Sequence, residues 1–376
     1  MIRDWGTVLK IPPRRDFKDR PSIPSGKVIN LSKRIDEKDL KYKVRKFIKD
    51  NELIKAGDKI VLAVSGGPDS LCMLDLFCYF KENKIFNFEF VVAHVNHMIR
   101  DEAEEDAEFV RNYCKQKYVE FYLENIDVKE IADKTRCGLE ETGRKIRYDF
   151  FNKILTNKMF NKIAIAHNKN DVAETILMNI FRGSGITGLK GIEPISGQYI
   201  RPLLDCERLE IEQYCEKYNL NPRIDRTNFE NLYTRNKIRN IVIPYIKKEF
   251  NPNIIQTMYR LSNLVQEEEK YINDVVAEKY TEIMILEDIE QKNILQSENK
   301  IILLLKKFNT LEKVIKSKVI LYTISRLIGN SKGIEKVHID DIIKLCENNI
   351  GNKYLMPNKN LKVLVKNGQI YFIHKS

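Results

Sequence analysis

Between about residues 36 and 248, short continuous apolar runs alternate with longer stretches in which apolar residues recur at helical spacing. The first run is Val61-Leu62-Ala63-Val64, apolar and partly β-branched, as in a strand buried on both faces of a parallel sheet. Further runs predict strands at Phe88 to Val95, Val119 to Leu123 and Lys162 to His167. Tyr199 to Leu204 reads as an edge strand, because Pro202 cannot donate to a ladder. Helical spacing predicts a short helix through Leu40, Val44, Phe47 and Ile48, and others at Leu71 to Phe77, Asp101 to Gln116, Thr142 to Leu155 and Asp171 to Phe181. Regular β-α alternation implies an α/β fold with a parallel, doubly wound sheet. Ligands bind such sheets beyond the carboxyl ends of the strands, where Ser65, His94 and His167 fall.

The texture then changes twice. Asn253 to Ile328 contains no Gly and no Pro and reads as several packed helices, a helical domain over residues 251–330. Beyond it, one helix at His338 to Glu347 precedes strands at Lys353 to Leu355, Leu361 to Val365 and Gln369 to Ile373. The last two turn at Asn367-Gly368, a hairpin signal, so residues 331–376 read as a small α+β module. Residues 1–35 are rich in Pro, Arg and Lys without periodicity and read as a flexible basic tail, which leaves 36–250 as the catalytic unit.

Composition bounds this picture. A chain of 376 residues suggests two to three domains, and 43% hydrophobic residues is ample for packed cores. No stretch approaches the roughly 18 uninterrupted apolar residues of a membrane span, and the start has no signal-peptide core. The expectation is a soluble, cytoplasmic protein with no membrane partner. Seven scattered cysteines without a C-x-x-C pair argue against a disulfide framework, a zinc ribbon or a redox pair. The net charge of +11 suits a polyanionic partner, but Lys is abundant throughout, so local clusters carry more information.

The candidate chemistry starts at the first strand. Ser65-Gly66-Gly67-Pro68-Asp69-Ser70 links that strand to a helix, and strand, glycine-rich turn and helix together make an anion site. Gly66 and Gly67 permit φ > 0 and close backbone approach, and Ser65 and Ser70 add hydroxyl donors. No Lys follows, so this is no Walker A loop, and G-x-G-x-x-G is absent. The run resembles the S-G-G-x-D-S loop of the N-type ATP pyrophosphatases, which grip the pyrophosphate end of ATP while an acceptor oxygen attacks the α-phosphorus.

Further runs follow in order. They are His94-Val95-Asn96-His97-Met98-Ile99-Arg100, Gly138-Leu139-Glu140-Glu141-Thr142-Gly143-Arg144-Lys145-Ile146-Arg147-Tyr148, and Ala166-His167-Asn168-Lys169-Asn170-Asp171-Val172-Ala173-Glu174-Thr175. After them come Phe181-Arg182-Gly183-Ser184-Gly185, Arg201-Pro202-Leu203-Leu204, Asp225-Arg226-Thr227-Asn228 and Tyr233-Thr234-Arg235-Asn236-Lys237-Ile238-Arg239. The ordered set resembles the tRNA(Ile)-lysidine synthetase family from about Asp36 to Pro252, with a less specific likeness beyond. That resemblance implies ligation of free L-lysine to C2 of the wobble cytidine of a tRNA(Ile) with a CAU anticodon. ATP is consumed through an adenylated cytidine, pyrophosphate and AMP are released, and decoding moves from AUG to AUA. Members are often homodimers, although nothing in the sequence shows a dimer interface.

By that resemblance Ser65, Gly66, Gly67, Pro68, Asp69, Ser70, His94 and His167 contact ATP, and Asp69 is a candidate Mg²⁺ ligand, since hard cations prefer carboxylate oxygen. Asp171 and Glu174, three apart on one helix face, recognise or deprotonate the lysine ammonium; taken alone, they would equally answer the helix dipole. Arg144 and Arg182 are candidates for stabilising charge on the departing pyrophosphate; either alone would read as a solvated surface arginine. His94 and His97 lack a third ligand at metal spacing, so no zinc is expected. Arg223, Arg226, Tyr233, Arg235, Asn236 and Arg239 form a basic segment with a stacking face, assigned to tRNA; its bland alternative is a solvated helix face.

Two departures stand out. Many members carry a second His and paired aspartates in the fourth-strand motif, where this chain has Asn168-Lys169-Asn170-Asp171. Longer members also carry a further C-terminal module. Rival readings are a tRNA-thiolating enzyme on the same loop, against which the unpaired cysteines count, a small-molecule adenylating synthetase, which leaves the basic segment unexplained, and a non-catalytic tRNA-binding module, against which the intact loop and carboxylates count.

Overall fold

The computed structural model describes residues 39–96, 98, 103–223, 234–285, 300–348 and 353–374. The basic tail, His97, Arg226 and Tyr233 lie outside the described residues. Strands β1 (Asp58–Ala63), β2 (Phe88–Asn96), β3 (Phe121–Asn125), β4 (Lys162–Ile165), β5 (Ile195–Ser196) and β6 (Tyr199–Ile200) form one sheet in the order β3-β2-β1-β4-β6-β5. All neighbours are parallel except β5 and β6, which pair antiparallel.

Side-chain alternation explains the unbroken apolar runs. Ile60, Leu62, Phe90 and Val92 enter one core, together with the helices Leu40–Asp50, Pro68–Glu82 and Arg208–Lys217. Val61, Val91 and Ala93 enter the opposite core, under Phe150, Phe151 and Ile154 of the helix Leu139–Asn157. Both faces are dry, so neither parity of a strand is polar. The chain leaves β1 toward β2 and β3, then crosses back to β4 on the other side. The carboxyl ends of β1 and β4 therefore flank the point where the strand order reverses, the place such sheets reserve for ligands.

Several elements differ from the sequence expectation, three of them instructively. The strand expected at Tyr199 to Leu204 is only Tyr199–Ile200, and it lies inside the sheet with β5 at the edge. Pro202 falls after it, so the proline costs no ladder bond. A helix at Val128–Thr135, opened by the Asp127 side chain accepting from the Glu130 N–H at 3.0 Å, had no counterpart in the reading. Lys300–Leu304, inside the segment read as wholly helical, is strand β7. An apolar run as short as Ile301 to Leu304 has no period of its own, and its antiparallel pairing with Gln369 to Ile373 decides its state.

Strands β8 (Tyr354–Asn358), β9 (Leu361–Lys366) and β10 (Gln369–His374) complete a second, antiparallel sheet in the order β7-β10-β9-β8. Asn367 and Gly368 both have positive φ, 53° and 72°, as the predicted two-residue hairpin requires. The helices Lys313–Ile328 and Lys336–Glu347 cover this sheet through Ile320, Ile324, Ile342 and Ile343. One buried cluster thus runs across the boundary drawn at 330. The helix Ile254–Ile283 reaches that cluster with Val276, Tyr280 and Ile283, while Ile255 and Tyr259 pack near the helix Lys169–Phe181. Among the described residues, no helix is long and apolar enough to cross a membrane.

Leu303 is fully buried between the second sheet and its helices. Leu303→Ala is expected to cost about 2–5 kcal/mol through lost burial and a cavity, read as a lowered urea midpoint for the C-terminal unit.

Candidate functional site

The loop after β1 is shaped from within. Gly66 has φ +90°, a conformation that favours glycine, whereas Gly67 has φ −75° and needs no such freedom. A Cβ on Gly67 would meet nothing closer than 3.7 Å, so the bare backbone there is open to an approaching ligand. Gly67 is the N-cap of the helix Pro68–Glu82 and supplies no side-chain cap, which leaves that end to an anion. Ser70 is engaged within the loop itself. It is buried, accepts the Ser65 and Gly66 N–H groups at 3.1 and 3.2 Å, and donates to the Gly67 carbonyl at 3.0 Å. It staples the loop, while Ser65 remains exposed. The Arg223 N–H donates to the Gly66 carbonyl at 3.0 Å, and the Arg223 side chain pairs with Glu105 and Asp106 at 3.4 and 3.7 Å.

Burial lowers the pKa of both strand-end histidines, and their neighbours differ. His94 is buried, and burial lowers its pKa; its Nδ1 lies 2.8 Å from the Val64 carbonyl and must donate to it. It therefore fixes the strand end just ahead of the loop. His167 is pushed down to about 4 by burial, with Arg201, Arg235 and Arg144 adding to the shift and Asp171 opposing it. Arg201 Nε donates to His167 Nδ1 at 3.2 Å, so the imidazole carries its proton on Nε2 and is a donor there.

Three carboxylates converge on this end of the sheet. Asp69 heads the loop helix; burial, then the charge of Asp171, pushes it up to about 6, against Arg208, Asn168 and Arg239. Asp171 and Glu174 lie on the helix Lys169–Phe181, both buried. Arg235 donates to Asp171 and Glu174 at 2.8 Å each, and Arg239 to the two Glu174 oxygens at 2.6 and 2.8 Å. Burial opposes ionisation of Asp171, but Arg235 and its other partners outweigh it and hold the carboxyl below its ordinary range.

Arg235 and Arg239, assigned from sequence to the tRNA-facing segment, thus meet the carboxylates assigned to lysine. They stand one turn apart because Thr234–Lys237 is helical and runs into a π-helical turn at Ile238–Val242. Pro244 lacks an N–H and crowds the preceding turn, and the Ile243 N–H bonds back to the Ile238 carbonyl instead. Asn236 has its own partners. Arg144 is exposed and stacks over Tyr148, 4.9 Å from the ring centre, on the side of His167. Arg182 is exposed at the end of the carboxylate helix, before Gly183, whose φ is +74°.

Sequence reasoning missed three participants. Arg208 Nη2 lies 3.6 Å from Glu174, Arg201 orients His167, and Asn168 Nδ2 donates to Asp69 at 3.0 Å. Arg201 and Asn168 stood inside quoted motifs; Arg208 had no local signal. Among the described residues, no group of three His, Cys, Asp or Glu forms a metal cage. Asp69, a single hard-oxygen ligand beside an anion site, fits Mg²⁺ held jointly with substrate phosphates.

Residues 36–246 match the PP-loop domain family. The chain is 42% identical over 330 residues to a tRNA(Ile)-lysidine synthase of Clostridioides difficile, covering 87% of this chain and 69% of the relative. It is 42% identical over 313 residues to one of Clostridium acetobutylicum, covering 83% and 65%. The chain therefore spans about two thirds of the length of these relatives. Among solved structures, the U34-tRNA thiolase NcsA of Methanococcus maripaludis with its [4Fe-4S] cluster aligns with TM-score 0.50 at 20% identity, over 60% of this chain and 79% of that one. At that identity the likeness concerns the fold alone.

Asp69 carries a stability cost with a defined pH window. Its pKa of about 6 in the fold lies above the ordinary aspartate value of 3.8, so the native state binds the extra proton between these values and loses stability as pH rises through them. Asp69→Asn is expected to stabilise the fold by about 1–3 kcal/mol at pH 7.5, with the gain vanishing toward pH 4, as read by thermal unfolding across that range.

Proposed function

Because the chain belongs to the tRNA(Ile)-lysidine synthase family, we propose that it joins free L-lysine to C2 of the wobble cytidine of a tRNA(Ile) with a CAU anticodon. In the first step the cytidine O2 attacks the α-phosphorus of ATP and pyrophosphate leaves. In the second, the lysine ε-amine attacks C2, loses a proton, and AMP departs with the former base oxygen. The loop Ser65 to Ser70 holds the pyrophosphate end, shaped by Gly66 and stapled by Ser70. Asp69, together with the phosphates, would hold Mg²⁺, and the ion would supply charge neutralisation there. His167 offers an Nε2 proton to a phosphate or to the adenylate. Arg144 and Arg182 answer the charge of the leaving pyrophosphate.

Asp171 and Glu174 receive the lysine ammonium. Arg235 and Arg239 pair with both carboxylates, so the ammonium exchanges for a guanidinium that is then available to a phosphate or carboxylate. Arg223, Arg226, Tyr233, Arg235, Asn236 and Arg239 are the proposed tRNA contacts. The observation that carries the reading is the meeting of the phosphate loop and the buried carboxylate pair, with Asp69 and Asp171 both bonded to Asn168. Transfer of an amine rather than sulfur fits the cysteines: six of seven are buried, and the sequence has no C-x-x-C pair.

Two measurements test this. Labelled lysine is expected to enter unmodified tRNA(Ile) with a CAU anticodon, with ATP and Mg²⁺, and not tRNA(Met). Pyrophosphate release without lysine incorporation would move the function to another acceptor chemistry. Glu174→Gln is expected to lower kcat/KM for lysine by about a hundredfold or more while ATP affinity changes little. An unchanged lysine KM and turnover would remove Glu174 from the amine site.

A further inference from the structure

Asn168 is fully buried and every polar end of it is used. Its backbone N–H donates to Asp171 Oδ2 at 2.9 Å, and its Oδ1 accepts the Asp171 N–H at 3.1 Å, a reciprocal cap on the carboxylate helix. Its Nδ2 crosses to the other half of the site and donates to Asp69 Oδ1 at 3.0 Å. A cap needs only the acceptor, which Ser, Thr or Asp would provide equally well. The bond to Asp69 needs a donor on the same side chain, at the same depth and without charge. A Ser or Thr hydroxyl can accept and donate too, but from a single atom one bond from Cβ; the carboxamide separates the two roles, Oδ1 on the cap and Nδ2 on Asp69.

We infer that Asn168 is a positioning residue for Asp69, fixing the carboxylate of the phosphate loop against the helix that bears Asp171 and Glu174. One oxygen of Asp69 is committed to a neutral, buried donor, so the direction of the other is set. The same amide ties the loop after β1 to the helix after β4, across the point where the strand order reverses. The geometry of the ATP end and that of the amine end are therefore not independent: a shift of the carboxylate helix moves Asp69 with it. An aspartate in place of Asn168 would keep the cap and place a third carboxylate beside Asp69 and Asp171.

The inference rests on the proposed role of Asp69 at the phosphate end. The test compares Asn168→Ser, Asn168→Asp and Asp69→Ala in the full chain. Four quantities are read: thermal midpoint, ATP affinity with Mg²⁺ by calorimetry, tRNA-dependent pyrophosphate release, and lysine KM. Asn168→Ser keeps a capping oxygen and loses the reach to Asp69. It is expected to melt close to the native protein, to lose about tenfold to a hundredfold in ATP affinity or in kcat for pyrophosphate release, and to keep its lysine KM. Asn168→Asp, which retains the length and the cap, is expected to lose at least as much. It also supplies the answer if the serine variant does not fold. Native ATP affinity and pyrophosphate release in the folded variant would overturn the inference. So would a loss in which the midpoint and the lysine KM deteriorate in step, the mark of a merely structural cap. If Asp69→Ala itself leaves ATP affinity and pyrophosphate release intact, the role of Asp69 fails, which is a separate result.

Discussion

The catalytic unit is organised around two carboxylates taken out of water on one turn of a helix. An ionised carboxylate withdrawn from solvent costs several kcal/mol unless it is paired and fully hydrogen-bonded. Asp171 and Glu174 meet that condition through Arg235 and Arg239, with Arg208 beyond bonding contact but near enough to add charge. The need for two guanidinium groups side by side explains the local backbone that carries them. Thr234–Lys237 brings them over the carboxyl edge of the sheet, and the π turn before Pro244 lets the chain continue into the next helix.

Asp69 stands in contrast. Its direct partner is the uncharged amide of Asn168, and its neighbour Asp171 is of like charge. One end of the site is electrostatically satisfied and the other is left short of positive charge. That imbalance is what a site must keep if it is to take up a cation together with a polyphosphate. The same economy holds for the histidines: burial lowers the pKa of each, and each spends its Nδ1 on a fixed protein partner.

The parts of the fold and site that could be read from the sequence are those whose cause is local. Val61 to Val64 is apolar throughout because both faces of β1 are covered, and Asn367-Gly368 turns as its residue types require. The loop after β1 is contiguous, so its six residues stand together as one run in the sequence. What escaped was relational. Arg235 and Glu174 are 61 positions apart, and a run of basic residues shows charge without showing its partner. Arg208 sits in an ordinary amphipathic helix. The internal bonds of Ser70 were equally invisible, because a hydroxyl carries no mark of where its proton goes. Gly67 looked equivalent to Gly66, yet only Gly66 has positive φ. Lys300–Leu304 passed for helix because its strand state is imposed by β10.

The helix Ile254–Ile283 has thirty residues, enough for about 45 Å, and it is buried at its start in one unit and at its end in the other. It acts as a ruler and a phase setter between them. Adding or removing one residue in its middle would shift the C-terminal unit by about 1.5 Å and swing it about 100° around the axis. An insertion of that size would be trivial in a loop. Here it would turn a different face of the C-terminal unit toward any long substrate lying across both units, so the residue count of this segment is itself a specification of the shape that the protein presents.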